Sequence, residues 1–303
     1  MTNSDPQKYN PIIFGEVLFD CFDDGAQVLG GAPFNVARNL AAFGNRPFLI
    51  SSVGSDDLGK TILAKMTSWD MATDGIGVTD RASTGKVTIT VTKGQPTFSI
   101  LKNQAYDYII VPDAVTQMQA SKDTFLYFGT LALRSKHNQN SLNKIITTLN
   151  PTVFVDINLR MPWWDMLTVN IALSKAHWLK INDDELTTLS NKLGYKENDL
   201  KEIARIFLNQ YKFNGIIVTC GEKGAFVLTP NYYGKPPAPK PKEVIDTVGA
   251  GDAFAAVFLH GLIHQWNIET TTNRAQDFAS RICELRGAVS EDKSFYTNLL
   301  EKW

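Results

Sequence analysis

The sequence predicts an α/β fold: a mainly parallel central sheet with helices on both faces, plus a small β-flap lid. Three observations predict it. Short β-branched and aromatic runs alternate with amphipathic windows between residues 11 and 221, and strands that take turns with helices pair in parallel under helical cover. Two stretches, 17–29 and 84–102, break that rhythm by following strand with strand. From about residue 250 the chain turns helical.

In chain order, the core strands read as PIIFGEV (11–17), RPFLISSVG (46–54), DTFLYFG (123–129), TVFVDIN (152–158), HWLKIN (177–182) and NGIIVTCG (214–221). Helical windows fall at NVARNLAAF (35–43), GKTILAKMTSW (59–69), NQNSLNKIITTLN (138–150) and LKEIARIFLNQYK (200–212). TGKVTITVTKGQPTFSILK (84–102) reads as a hairpin turning at KGQP, and 17–29 as a second strand pair around a DDG turn. Lid strands are therefore expected from about 17–32 and 84–108. In the closing helical part, Phe254, Val257, Phe258, Gly261 and Leu262 recur at helical spacing and read as core.

The 303 residues, 44% of them hydrophobic, suffice for one main core, so residues 1–303 are read as a single domain. With 30 basic and 31 acidic side chains, a net charge of -1 supplies no field for nucleic acid or an anionic membrane. Small-molecule chemistry is the expectation. Cys21, Cys220 and Cys283 lack metal-site or redox spacing and read as reduced thiols. The apolar stretch PIIFGEVLF is too short, and too soon interrupted by Glu16 and Asp20, for a signal or a membrane span. A cytoplasmic protein is expected. There is no repeat, and KPPAPKPK (235–242) reads as a surface loop or an approach to an edge strand.

Two glycine-bearing turns compete for the role of phosphate cradle. In GSDDLGKT, the spacing of Gly54, Gly59, Lys60 and Thr61 satisfies a P-loop pattern. In VIDTVGAGDAF (244–254), Gly249, Ala250 and Gly251 open a helix whose first N–H groups form a ready anion site. Asp252 follows at once. It has two readings: a carboxylate that complements the helix dipole, or a base that takes a proton from an attacking hydroxyl. A dinucleotide fingerprint fails, because Phe254 stands where its third glycine belongs. His260 and His264 have the spacing of a metal pair on an apolar helix and read as packing. Trp163 and Trp164 read as a loop's filled underside or a binding edge, and Tyr106 and Tyr108 as ligand contacts or packing.

DTVGAGDAF, together with GGAPFNVARNLAAFG (30–44), resembles the two signatures of the ribokinase-like (PfkB) carbohydrate kinases, which use ATP to phosphorylate a sugar hydroxyl. GEVLFD, VGSDDLG, DINLR, LKINDDE and VTCGEKGA occur in that family's order across nearly the whole chain. The resemblance answers the P-loop question negatively. It places VGSDDLG near the sugar, and Asp56 and Asp57 would oppose nucleotide phosphates by like charge.

The resemblance implies Asp252 as catalytic base and the backbone of Gly249, Ala250 and Gly251 as anion hole. It implies Asp20, Gly30, Gly31 and Asn35 as sugar contacts. Asn182 and Glu185 match an NxxE motif near magnesium and phosphates, with Glu185 acting on the metal indirectly. Asp183 and Asp184 read as helix N-terminal charges. Thr219, Gly221 and Gly224 match a turn beside the nucleotide. Asp246 and the main-chain oxygen of Val248, with the RGA turn at 286–288, resemble a monovalent cation site that would hold potassium. GGAPFNVA and DINLR resemble the fructokinase-like branch, to which Arg160 belongs as a sugar contact or, alternatively, a structural ion pair. Fructose is the first-choice acceptor, with ATP and Mg2+ as its partners. Ribose, 2-keto-3-deoxygluconate and nucleosides are alternatives, as is a catalytically silent sugar sensor. A homodimer clasped through the flaps is implied.

Overall fold

In the computed structural model, which describes residues 9–92 and 95–303, the chain divides into two compact units. The first contains the described residues up to Thr124 and Ala132–Pro151; the second contains Phe125–Leu131 and Thr152–Trp303.

In the first unit, β1 (Ile12–Phe14), β4 (Phe48–Gly54) and β5 (Ile76–Thr79) pair in parallel in that order. Helix α1 (Ala32–Ala42) packs on β1 and β4, and α2 (Asp57–Ser68) on β4. All seven residues of β4 are buried, as expected of a parallel strand covered on both faces. Short α3 (Ala114–Gln117) packs on α4 (Lys136–Leu149).

The expected flap is a separate four-stranded sheet in the order β3-β2-β6-β7, from β2 (Leu18–Phe22), β3 (Gln27–Gly30), β6 (Gly85–Thr92) and β7 (Gln95–Ile100). β2 pairs antiparallel with β3 and parallel with β6, and β6 pairs antiparallel with β7. Lys93 and Gly94 of the expected KGQP turn lie outside the described residues. Strand structure ends at Ile100 and does not reach 108. The chain instead dives inward at a 3-10 turn, Ala105–Asp107, where Tyr106 is fully buried.

Arg134 secures that turn. Its guanidinium donates to both carboxylate oxygens of Asp107 at 2.8 Å, to the Leu101 carbonyl at 2.7 Å and to the Tyr106 hydroxyl at 3.0 Å. Tyr106 is therefore packing: Gly85 of β6 leaves the space its ring fills.

The P-loop pattern has a structural explanation. Asp56 caps α2, accepting from the Gly59 N–H at 2.9 Å, and reaches Thr84, accepting from its N–H at 2.9 Å and its hydroxyl at 2.6 Å. The turn's N–H is thus bound by its own carboxylate. Lys60 is exposed and pairs with Asp57 one helical turn back. Burial disfavours the charged Asp56, but the bonds from Thr84 and Gly59 outweigh it and hold the carboxyl below its ordinary value of 3.8.

In the second unit, β8 (Phe125–Gly129), β9 (Thr152–Asp156), β10 (Trp178–Asn182) and β11 (Gly215–Thr219) are successive parallel neighbours. β12 (Ala225–Thr229) and β13 (Tyr232–Gly234) extend the sheet antiparallel beyond β11. Helix α5 (Met166–Lys175) follows β9, α6 (Asp183–Lys192) and α7 (Leu200–Tyr211) both fall between β10 and β11, and α8 (Ala250–Ile263), α9 (Ile268–Ile282) and α10 (Lys293–Leu300) close the chain. Phe254 and Phe258 of α8 stack, and Phe258 meets Phe154 and Trp178 from the sheet, so Phe254, Val257, Phe258 and Gly261 are buried as expected, while Leu262 is half-buried near the end of the helix. His260 is buried between His264 and Trp266, and burial, with His264 and Arg274 nearby, pushes its pKa down to about 3. No group of three metal-ligating side chains occurs among the described residues, and no helix among them is long and apolar enough to cross a membrane.

Asp56→Ala should cost about 1–2 kcal/mol in urea unfolding, the usual range for a lost N-cap. A lowered folded pKa adds stability above the unfolded value and loses it as pH falls through the folded one, so this variant should also flatten the stability curve below about pH 4. Arg134→Met strands Asp107 in a buried site and should cost about 3–5 kcal/mol.

Candidate functional site

Helix α8 begins abruptly. Its N-cap, Gly249, sits at φ 81°, a left-handed conformation natural to glycine, and a Cβ there would overlap Ala288 of the RGA turn. Gly249 offers no side-chain cap. The Ala250 N–H makes only a 3.3 Å bond to the Thr247 carbonyl, and the Gly251 N–H meets no acceptor among the described residues. A helix end left this way attracts an anion. Asp252 stands half-buried in the first helical turn.

The approach to this turn is clamped by Asp246. One carboxylate oxygen accepts from the Val248 N–H at 2.9 Å and the other from the Gly287 N–H at 3.1 Å. The N–H groups of Ile245 and Asp246 both donate to the Cys283 carbonyl. Asp246 thus lies against the Val248 N–H and the RGA turn, with both its oxygens engaged by main-chain N–H groups.

Beneath the turn lies a buried ion pair that sequence reasoning missed. Lys180 of β10 donates to Asp156 at the end of β9 at 2.7 Å, both side chains being almost wholly buried, and the Tyr127 hydroxyl donates to the same oxygen at 3.3 Å. A Cβ on Gly251 would lie 3.6 Å from the Lys180 ammonium, so positive charge sits directly beside the anion turn. The available signal was a lysine inside the otherwise apolar strand WLKIN.

Asn182 and Glu185 form a capping box at the start of α6. The Asn182 side chain accepts from the Glu185 N–H at 2.7 Å, and Glu185 accepts from the Asn182 N–H at 3.0 Å. The other Glu185 oxygen accepts from the Leu159 N–H at 2.7 Å, tying DINLR to α6. Burial, together with the negative charge of Asp156, raises the Glu185 pKa despite these bonds. Asp183 and Asp184 lie in the first turn, as helix N-terminal charges should.

Thr219 ends β11, and Gly221 and Gly224 bracket the 3-10 turn leading to β12. Arg160 is exposed, and no ion pair of it occurs among the described residues. Trp163 and Trp164 are half-buried beside it, and the Trp163 N–H donates to the Arg160 carbonyl.

In the first unit, Asp20 of β2 pairs with Val28 of β3, and its carboxylate reaches toward Gly30, where a Cβ would come within 3.2 Å of it. Gly31 caps α1 at φ 106°, and a Cβ there would lie 2.7 Å from the Glu16 carbonyl. Asn35 is buried one turn into α1. The expected sugar-side residues thus converge where β3 enters α1, apart from Arg160, which belongs to the second unit.

A parallel α/β sheet whose strands feed an anion-accepting helix end with a carboxylate in its first turn belongs to a class suited to handling phosphorylated small molecules. The model of the pfkB family carbohydrate kinases matches residues 13–294, and the chain belongs to that family. It is 27% identical over 271 residues to a probable fructokinase-5 of Arabidopsis thaliana, covering 83% of this chain and 82% of that one. Its fold is similar to the crystal structure of a fructokinase with bound ATP from Xylella fastidiosa, with TM-score 0.84 and 22% identity over 97% of this chain and 99% of the other. A fructokinase from Vibrio cholerae O395, in a fructose, ADP and calcium ion bound form, gives TM-score 0.80 and 23% identity over 98% and 100%. The ribokinase-like fold expected from the sequence is the fold observed.

Lys180→Met should destabilise the protein by about 3–5 kcal/mol, because it leaves Asp156 buried and unpaired. The double variant Lys180→Met, Asp156→Leu should recover most of that loss, and chemical denaturation of the four proteins of the cycle measures it.

Proposed function

We propose that the protein is an ATP-dependent sugar kinase that transfers the γ-phosphoryl group of MgATP to a hydroxyl of fructose. The observation that carries this reading is the start of α8, where a half-buried carboxylate directly follows an N–H that meets no acceptor among the described residues. A carboxylate beside an anion site weakens anion binding by like charge, which is a poor arrangement unless the carboxylate accepts a proton during transfer. Family membership and the fructokinase names of similar proteins support the substrate class.

In this reading Asp252 receives the proton of the attacking hydroxyl, and the Gly249–Gly251 backbone stabilises charge on the phosphoryl oxygens. Lys180 adds positive charge beneath the same turn. Asp20, Asn35 and the glycine backbone at 30–31 hold the sugar through directed hydrogen bonds, with Arg160 as a further contact. Thr219, Gly221 and Gly224 flank the nucleotide. The flap sheet serves as a lid that excludes competing water, and its exposed Val28 suits a homodimer clasp. A cytoplasmic location, where MgATP is supplied, accompanies the reading.

Both Glu185 oxygens already accept main-chain N–H groups and Asp156 is paired with Lys180, so these residues suit magnesium held through water. When bound with the nucleotide, the metal neutralises phosphate charge. Potassium would draw on the Val248 carbonyl beside Asp246, whose own oxygens are occupied by N–H groups.

ADP release should be measured with fructose, ribose, glucose, mannose, 2-keto-3-deoxygluconate and a purine nucleoside. We expect fructose to be the best acceptor and Asp252→Asn to lower kcat by about 10²–10⁴-fold, the span of general-base catalysis. ATP hydrolysis that needs no sugar and survives in Asp252→Asn would overturn the reading, and silence with every acceptor would favour a sensor. Lys60→Ala should leave turnover unchanged, because that lysine only pairs with Asp57 on the surface.

A further inference from the structure

We infer that Gln276 of α9 is a positioning residue for the nucleotide side of the site, one that holds the Gly221–Gly224 turn and the strap after β13 in register for nucleotide binding. The inference rests on the kinase reading above. Residues 235–249 run from β13 to α8 without forming any helix or strand, and most of them are exposed. Apolar burial therefore contributes little to where this strap lies. Hydrogen bonds to α9 and the residues just after it do more.

Gln276 is nearly fully buried. Its side-chain oxygen accepts from the Ala225 N–H at 2.6 Å and its amide donates to the Pro237 carbonyl at 3.3 Å. Further along the strap, the Lys242 N–H donates to Glu284 at 2.7 Å. Cys283 and Gly287 then hold Ile245 and Asp246. α9 and its C-terminal extension thus bind the strap at successive points, and the last of them lead into Gly249.

Gln276 differs from the other anchors because it holds two segments at once. The turn at Gly224 passes so close that a Cβ there would overlap the Gln276 oxygen and come within 2.9 Å of Ala238 of the strap. One amide thereby sets the spacing between the turn and the strap that returns beside it. An amide is suited to this, since it presents an acceptor and a donor at a fixed separation. Losing both bonds leaves the Ala225 N–H and the Pro237 carbonyl to find new partners, which they can do only by moving the two segments.

The test is ADP affinity by titration calorimetry, a readout that does not depend on which sugar is phosphorylated. Gln276→Met keeps the volume and removes both bonds. We expect it to weaken ADP binding about five- to tenfold, the value of a buried hydrogen bond or two, and to lower the thermal midpoint of the nucleotide-free protein by a few degrees without loss of folding. In steady-state assays the same loss should appear in KM for MgATP, while KM for the sugar and kcat at saturation stay within about twofold. Glu284→Ala removes an anchor on the exposed side without touching the core and should weaken ADP binding about two- to threefold. Unchanged ADP affinity in both variants overturns the inference, as does an equal loss in nucleotide and sugar affinity, which marks general damage. A wild-type protein that binds no ADP would overturn the kinase reading itself, and this inference with it.

Discussion

The candidate site of the second unit depends on how the chain enters α8. Gly249 must adopt a left-handed conformation against Ala288, because any side chain there would overlap that residue. Asp246 fixes the approach by bonding forward to Val248 and across to Gly287. These constraints leave the first turn of α8 uncapped by any side chain and place Asp252 within it. Moving the RGA turn would move the helix start, and with it the Gly251 N–H, which meets no acceptor among the described residues.

The charges around that turn are arranged in pairs. Lys180 is neutralised by Asp156, and Glu185 is spent on two main-chain N–H groups. Each buried charge therefore has a partner in the protein, which burial demands. The ammonium of Lys180 still lies beside Gly251, so the pair offsets its own desolvation while leaving a positive potential at the helix end. Structural satisfaction and suitability for phosphate are here the same arrangement.

Much of the fold was legible in the sequence. The six expected core strands all occur, because each carries a short β-branched or aromatic apolar run that the fold buries, and the flap was visible as strand following strand without a helix between. β12 and β13 were not anticipated, since short antiparallel strands such as AFVLT carry no long periodic pattern. The GSDDLGKT pattern shows the opposite limit. Its glycines and lysine match a nucleotide loop, but the partner that gives Asp56 its role is Thr84, 28 residues away. Of the site, the contiguous parts were legible: the helix-opening glycines, Asp252 and the NxxE capping box. Lys180 with Asp156, and Gln276 with Ala225, were not, because those partners are 24 and 51 residues apart and only the folded sheet and helices bring them together.

The central claim is that Asp252 stands at the phosphoryl group as a proton acceptor and contributes nothing to holding the nucleotide. The most direct measurement compares the affinity of wild type and Asp252→Asn for a non-hydrolysable MgATP analogue by titration calorimetry. Removing a like charge beside the phosphates should leave that affinity equal or tighter in the variant. A large loss of affinity would contradict the claim, because it would make Asp252 part of the nucleotide's binding and not the acceptor of the proton.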